Sequence, residues 1–329
     1  MTAVSAPSPK SALVSLGRAI ATPTVGPLLV LFVFGAVFSM TSSRFLLPGN
    51  LSIILQQTVI VGTLAIGQTL IILTAGIDLA TGAITVLGTI VAGKLVAQGF
   101  NPFLSMAFAL GLCTGVGLMA GTLISSLKLP PFIVTLGLLG IVTAATRLIS
   151  QGGAFPVTDA FLGWTGNTFR LGPAIATYGI VAMLLLYAFV WTLLNQTAWG
   201  RHVYAIGNNA EAARLVGIPV KRRILSVYVF AGFIYGLTAW LALGRIPNAD
   251  PNALQTANLD SITAVVIGGT SLFGGRGSLI GTLIGALIVG VLRNGLTLAG
   301  IDPLWQDLVT GVLVIVAVAL DQISRGRRV

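Results

Sequence analysis

Long runs of apolar residues constrain this chain more than any other feature. A helix needs about 20 predominantly apolar residues to cross the hydrocarbon core of a bilayer. Only 8% of the residues are charged, against roughly a quarter in an average soluble domain. We therefore predict an all-α, polytopic membrane protein with about ten transmembrane helices. The ten apolar runs lie at 25–42, 53–74, 80–98, 103–126, 132–150, 173–195, 225–244, 260–274, 279–297 and 304–320.

The eighth run, at 260–274, is too short for an ordinary span. It indicates a re-entrant or broken helix. Proline supplies an independent check on the run boundaries, because proline inside a helix removes a backbone hydrogen bond and is tolerated best in the first turn. Prolines such as Pro48, Pro102, Pro131 and Pro303 lie at the proposed ends.

Basic residues predict the orientation in the membrane. With ten spans and a cytosolic N-terminus, twelve of the 18 Lys and Arg residues face the cytosol and six face outwards. Since cytosolic loops carry the excess of basic residues, we predict that both termini are cytosolic. The domain organisation is then a cytosolic tail over 1–24, a transmembrane domain over 25–321 and a basic cytosolic tail over 322–329.

The sequence lacks the residues that a metal site, a phosphate-binding loop or a nucleic-acid-binding surface would need. The single cysteine, Cys113, lies in an apolar run, and the single histidine, His202, lies in a loop, so no metal site is expected. The only Gly-Lys pair, Gly93 and Lys94, continues into Leu95 rather than into the Ser or Thr that a phosphate-binding loop requires. The dispersed positive charge is typical of membrane proteins, so we expect no nucleic-acid binding.

The acidic residues argue against coupling to an ion gradient. All eight Asp and Glu residues lie in connectors or close to the ends of the apolar runs. Ion-coupled carriers usually keep ionisable groups near the bilayer midplane. An ion-coupled secondary carrier remains an alternative, because such carriers also bind sodium through backbone carbonyls at broken helices.

The longest cytosolic connector, at 196–224, carries a short helix in its sequence. Asn208 is a suitable N-cap, and Glu211 three residues later completes a capping box. Gly217 suits the left-handed position after a helix and Pro219 prevents continuation, which places the helix at about 209–216. An amphipathic surface helix is one interpretation. We favour a helix that docks into a groove on another protein, because small alanines are flanked by charges.

A specific combination of motifs occurs at 76–82, 128–137 and 200–321. These three stretches resemble the permease subunits of bacterial ABC importers for ribose, xylose, arabinose and galactose. Ala75, Ala80 and Thr81 depart from the pattern of the first stretch, which in the family reads Gly-Gly-Ile-Asp-Leu-Ser-Val-Gly. The matching segments are Gly76-Ile-Asp-Leu-Ala-Thr-Gly82, Lys128-Leu-Pro-Pro-Phe-Ile-Val-Thr-Leu-Gly137 and the region from Gly200 to about Asp321, which includes Glu211-Ala-Ala213, Ala264-Val-Val-Ile-Gly-Gly-Thr-Ser271 and Gly274-Gly-Arg-Gly-Ser278.

The resemblance implies a pore made by two permease subunits in the bacterial inner membrane. It also implies two cytosolic ATPase subunits and an extracytoplasmic sugar-binding protein. ATP and Mg²⁺ are then used by the ATPase, and this chain is not an enzyme and binds no cofactor. Glu211-Ala212-Ala213 matches the family's ATPase-coupling segment. We expect the coupling site to include Arg201, Asn208, Glu211, Ala212, Ala213, Gly217 and Lys221.

Four polar residues are candidates for the translocation path or its gate. Gln56 and Gln68 line the path or hydrogen-bond neighbouring helices. Asp78 acts in gating or caps the helix that follows it. Asn294 packs near the outer surface or contacts the binding protein. A path with so few hydrogen-bonding groups predicts weak sugar binding and ready release.

Three other functions remain alternatives. The first is an ABC permease for a signalling sugar, a nucleoside or a branched-chain amino acid. The second is the ion-coupled carrier, whose transport would continue without an ATPase. A membrane-embedded enzyme ranks last, because the sequence has no cluster of His, Cys or carboxylates that would serve as a catalytic site.

Overall fold

The structure is a computed structural model that describes residues 25–326. The predicted tail at 1–24 and residues 327–329 lie outside this range. Within it, thirteen α-helices form most of the fold. They are α1 (Val25–Thr41), α2 (Pro48–Leu73), α3 (Thr81–Ala97), α4 (Pro102–Ser126), α5 (Pro131–Ser150), α6 (Ala160–Gly163), α7 (Tyr178–Gln196), α8 (Ala198–Asn208), α9 (Ala210–Leu215), α10 (Val220–Arg245), α11 (Ala257–Ile267), α12 (Leu279–Leu298) and α13 (Pro303–Gly326).

The all-α prediction did not include two small antiparallel sheets that accompany the helices. Strand β1 (Phe155–Pro156) pairs with β4 (Asn248–Ala249), and β2 (Thr168–Leu171) pairs with β3 (Ala174–Thr177). The sixth apolar run was predicted to begin at 173, but its first residues form β3 and the helix begins at Tyr178. The run is apolar throughout, so composition did not separate the strand from the helix.

The helices correspond to the predicted apolar runs. Within 25–326, six helices are long and apolar enough to cross a membrane, namely α2, α4, α5, α7, α10 and α12. Four shorter apolar helices are α1, α3, α11 and the part of α13 up to Val316. Helix α11 has 11 residues and is about 16 Å long, so the eighth run is indeed too short for a full span. Ten crossings stay a prediction.

Helix α2 lies at the centre of the packing. Nearly every residue from Thr58 to Leu73 is buried, because α7, α10, α11 and α12 all pack against it. Its threonine hydroxyls bond to their own helix, as in Thr63 Oγ1 to the Val59 carbonyl at 2.7 Å. A Cβ at Gly67 would lie 2.6 Å from the Tyr235 ring, so this glycine allows α10 to pack closely against α2.

The last helix extends beyond the predicted end of the transmembrane domain. Helix α13 runs to Gly326, five residues past the boundary at 321. The first five residues of the predicted basic tail are therefore helical within the described part of the chain.

Candidate functional site

The predicted coupling segment consists of two short helices, α8 and α9, that meet at a pair of asparagines. Asn209 is the N-cap of α9, since its Oδ1 accepts hydrogen bonds from the backbone N–H groups of Glu211 (3.0 Å) and Ala212 (2.9 Å). The predicted cap at Asn208 is wrong, because Asn208 is the last residue of α8. Asn209 has the extended backbone that an N-cap requires, with φ −161° and ψ 104°.

Gly217 ends α9 as the sequence predicted. Its φ is +86°, and its N–H donates to the Arg214 carbonyl at 3.0 Å. The N–H of Ile218 donates to the Ala213 carbonyl, also at 3.0 Å. This pair of bonds is a Schellman motif. Both ends of α9 are thus capped by hydrogen bonds, which stabilise the helix although it has only 6 residues.

Helix α9 presents an exposed outer surface. Ala213 faces inwards and is buried. Glu211 forms an ion pair with Arg214 at 3.2 Å, and both side chains are more than two-thirds exposed. Leu215 is 79% exposed and Val216 is 77% exposed. Adjacent exposed apolar side chains rimmed by charges mark a surface that binds another protein or a membrane.

The other predicted coupling residues lie on both sides of α9. Ala212 and Gly217 are exposed on the helix and just after it. Arg201 on α8 and Lys221 on α10 are also exposed. His202 accepts a hydrogen bond at Nδ1 from Arg223 Nε at 3.1 Å, so this histidine ties α8 to α10.

Helix α8 is pressed against two segments of the transmembrane domain. A Cβ at Gly207 would lie 1.8 Å from the Leu73 carbonyl oxygen and 2.5 Å from the Gly275 nitrogen. The Gly275 N–H donates to that same Leu73 carbonyl at 3.0 Å. Tyr204 donates its hydroxyl to the Gly277 carbonyl at 3.2 Å, and burial raises the pKa of this phenol. The coupling segment therefore contacts the end of α2 and the loop before α12.

Asp78 lies in the connection between α2 and α3. The side chain is buried, and its Oδ1 accepts a hydrogen bond from the Ala80 N–H at 2.8 Å. Helix α3 begins one residue later, at Thr81. Asp78 thus closes the turn that leads into α3. Its gating role stays a prediction.

The remaining path candidates lie in different surroundings. Gln68 is fully buried on α2, and neither its Oε1 nor its Nε2 has a hydrogen-bond partner within 25–326. Gln56 is half-buried and lies 12 residues before Gln68 on the same helix. Asn294 exchanges two hydrogen bonds with Asn50, at 2.9 and 3.0 Å. Among the described residues, no hydrogen bond joins these three residues or Asp78 to one another.

An ion network that the sequence analysis did not predict joins α11, α12 and α13. Arg293 Nη2 donates to Asp260 Oδ1 at 2.8 Å, to Asp307 Oδ1 at 3.0 Å and to Thr256 Oγ1 at 3.1 Å. The Asp260 side chain is 7% exposed. The sequence did contain a signal for this network. Asp260 lies in the apolar run at 260–274 and Arg293 in the run at 279–297, and charges in such runs are costly unless they are paired.

Comparison with known proteins identifies the family. Residues 50–318 match the family described as "Branched-chain amino acid transport system / permease component". The fructose import permease protein FrcC of Rhizobium meliloti is 47% identical over 308 residues, which cover 92% of this chain and 85% of FrcC. The ribose import permease protein RbsC of Bacillus subtilis (strain 168) is 37% identical and covers 91% of this chain and 92% of its own length.

A galactose permease shows the same degree of coverage. The galactose/methyl galactoside import permease protein MglC of Escherichia coli (strain K12) is 34% identical over 319 residues, or 92% of this chain and 95% of MglC. No solved structure matches the chain. The family match spans most of the chain, and the relatives are aligned over nearly their whole lengths. The chain therefore belongs to the permease-component family of ABC transport systems and is a multi-pass protein of the inner membrane.

Proposed function

We propose that this chain is the membrane-spanning permease subunit of an ATP-driven importer that carries a monosaccharide. The observation that carries the proposal is the 47% identity to a fructose import permease over 92% of the chain. Relatives named for ribose and galactose import support the same substrate class. The chain then crosses the membrane ten times, with both termini in the cytosol.

The proposed assembly combines permease, binding-protein and ATPase subunits. A second permease subunit, identical or closely related, completes the pore, and an extracytoplasmic binding protein delivers the sugar. Cytosolic ATPase subunits dock on the surface formed by α9 and its flanks. ATP and Mg²⁺ act at those ATPase subunits, and this chain contributes no cofactor site and no hydrolytic step.

The contacts of the coupling segment support a route for the conformational change. Closure of the ATPase dimer displaces α9, whose two ends are capped by hydrogen bonds. Helix α8 carries this displacement to the end of α2 and to the loop before α12, through the contacts of Gly207 and Tyr204. Alternating access follows if the docked ATPase has different affinities for the inward-open and outward-open states.

Glu211→Arg tests the docking surface. We expect at least a tenfold loss of ATP-dependent sugar uptake in proteoliposomes that contain the whole transporter, because the substitution reverses a charge on an exposed contact surface. Folding should not change, since an exposed ion pair is worth at most about 1 kcal/mol. Uptake and sugar-stimulated ATP hydrolysis are measured together.

Matched variants separate docking from stability. Glu211→Gln removes the ion pair with Arg214 without reversing the charge and should retain most of the uptake. The thermal unfolding temperature should be the same for both variants. Normal uptake by Glu211→Arg would exclude the assigned docking surface.

The energy source distinguishes this proposal from an ion-coupled carrier. We expect uptake of D-fructose or D-ribose to require ATP inside the liposomes and to persist when ionophores collapse the proton and sodium gradients. The family description names branched-chain amino acids, so L-leucine is the competing substrate. Uptake of leucine but not of sugar would show that the substrate is an amino acid, while the ATP-driven mechanism would still hold.

A further inference from the structure

A largely apolar cavity with a few polar side chains lies outside the sites described above, between α3, α5 and the connection after β4. Its volume is about 130 Å³, which corresponds to roughly four water molecules at about 30 Å³ each. Gly82 and Ala83 of α3 form one wall and Leu139 and Thr143 of α5 form another. Leu254 belongs to the third wall.

Polar groups in this cavity have unused hydrogen-bonding capacity. The Thr143 hydroxyl has no hydrogen-bond partner within the described residues, whereas Thr146, one turn later on α5, donates to the Val142 carbonyl at 2.7 Å. The amide of Gln255, also on the wall, is exposed at the cavity mouth and has no partner in this part of the chain. Arg147 donates only to Asn252 Oδ1, at 3.3 Å. A hydroxyl-rich ligand would satisfy all three groups.

The third wall is irregular backbone that packs directly against helix α3. Residues 251–256 form turns rather than a helix, and Leu254 has a φ of +55°. A Cβ at Gly82 would lie 2.8 Å from the Leu254 carbonyl oxygen. Gly82 is 15 residues from the end of α3, or about 22 Å along the helix. Within a membrane protein, non-helical backbone is tolerated where it is buried in protein or lines a water-filled cavity.

Two helices also begin at this cavity. Gly82 belongs to the first turn of α3, and Asn258 belongs to the first turn of α11. Asn258 Nδ2 donates to the Leu79 carbonyl at 3.3 Å and so links the two helix starts. Interrupted helices that meet near the midplane are the arrangement in which many transporters hold a substrate.

We propose that this cavity is a contact site for the sugar in transit, where Thr143, Gln255 and Arg147 hydrogen-bond its hydroxyl groups. The proposal rests on the proposed function. The cavity accommodates one edge of a sugar ring, and the rest of the sugar lies beyond the mouth. Three hydrogen-bonding groups on largely apolar walls give weak binding, as a site of passage requires.

Cysteine accessibility tests whether the cavity is wet and whether sugar enters it. The chain has one cysteine, Cys113, which is fully buried. In a Cys113→Ala background, Thr143→Cys is introduced and the whole transporter in proteoliposomes is treated with a water-soluble methanethiosulfonate. We expect the reagent to modify the new cysteine. The sugar that the transporter carries in the uptake assay, D-fructose or D-ribose, should slow this modification at least threefold, and L-leucine should not.

Two further variants make the result decisive. Leu185 lies on α7, and its side chain is 66% exposed. Leu185→Cys serves as the lipid-facing control and should not react with the reagent. Ala83→Cys, on the opposite wall, replaces Thr143→Cys if that variant does not assemble. Reactivity no higher than that of Leu185→Cys, or modification that sugar does not slow, would overturn the proposed contact site.

Uptake by isosteric variants provides the functional measurement. We expect Thr143→Val to reduce sugar uptake about three- to tenfold, the size of one lost hydrogen bond. Thr122→Val, on α4 and outside the cavity, should have no such effect, because that hydroxyl bonds to its own helix at the Leu118 carbonyl. If the unsubstituted complex shows no ATP-dependent sugar uptake, the proposed function itself has failed. If it transports sugar and the two threonine variants behave alike, only the contact site is excluded.

Discussion

Gly207→Ala is expected to abolish coupled transport. The added Cβ would lie 1.8 Å from the Leu73 carbonyl oxygen and 2.5 Å from the Gly275 nitrogen. Both of these atoms belong to the backbone, so no flexible side chain can move aside to relieve the clash. Helix α8 must then separate from α2 and from the loop at Gly275. Overpacking of this kind costs about 1–3 kcal/mol or more. Since the same contacts carry the motion of the ATPase, we expect uptake to fall by at least a factor of ten.

A glycine without neighbours serves as the control for Gly207→Ala. At Gly111 on α4, an added Cβ would have no atom within 4 Å, so Gly111→Ala should leave uptake and stability unchanged. The decisive measurement is the ratio of sugar transported to ATP hydrolysed. A Gly207→Ala complex with the normal ratio would show that motion does not pass through this contact.

Arg293→Met is expected to give the largest loss of stability. It leaves the carboxylates of Asp260 and Asp307 without their cation, and the Asp260 side chain is only 7% exposed. Removing one partner of a buried ion pair costs about 3–5 kcal/mol. The thermal unfolding of the detergent-solubilised protein should therefore shift to a markedly lower temperature.

Double substitution distinguishes charge from packing at this site. Asp260→Asn combined with Arg293→Met should recover part of the lost stability, because one stranded charge is removed. Arg44→Met, at an exposed arginine that forms no ion pair within the described residues, should be neutral. If the double variant is as unstable as the single one, packing of the arginine stem rather than charge is responsible.

The helices were predictable because membrane spans follow from local composition. The run at 279–297 corresponds to Leu279–Leu298, and the run at 25–42 corresponds to Val25–Thr41. The stop at Gly217 was also predictable, because a left-handed residue followed by Pro219 ends a helix whatever surrounds it.

Features that depend on tertiary contacts were not predictable in the same way. Asn208 and Asn209 are equally good caps by residue type, and the choice depends on where α8 ends. The mutual hydrogen bonds of Asn50 and Asn294 join residues 244 positions apart. The partners of Arg293 come from two other helices, so a single sequence showed the charges without showing which of them meet.

The central position of α2 has a consequence for how the protein is made. This helix is the least apolar of the six long spans, and α12, one of the helices that cover it, begins about 200 residues later in the chain. At about 5–20 residues per second, synthesis of that distance takes roughly 10–40 s. Until then the surface of α2 that packs against α12 lacks its partner, including Thr69, whose hydroxyl lies 2.8 Å from that of Thr282. We therefore expect α2 to reach its final packing only after the second half of the chain has been translated.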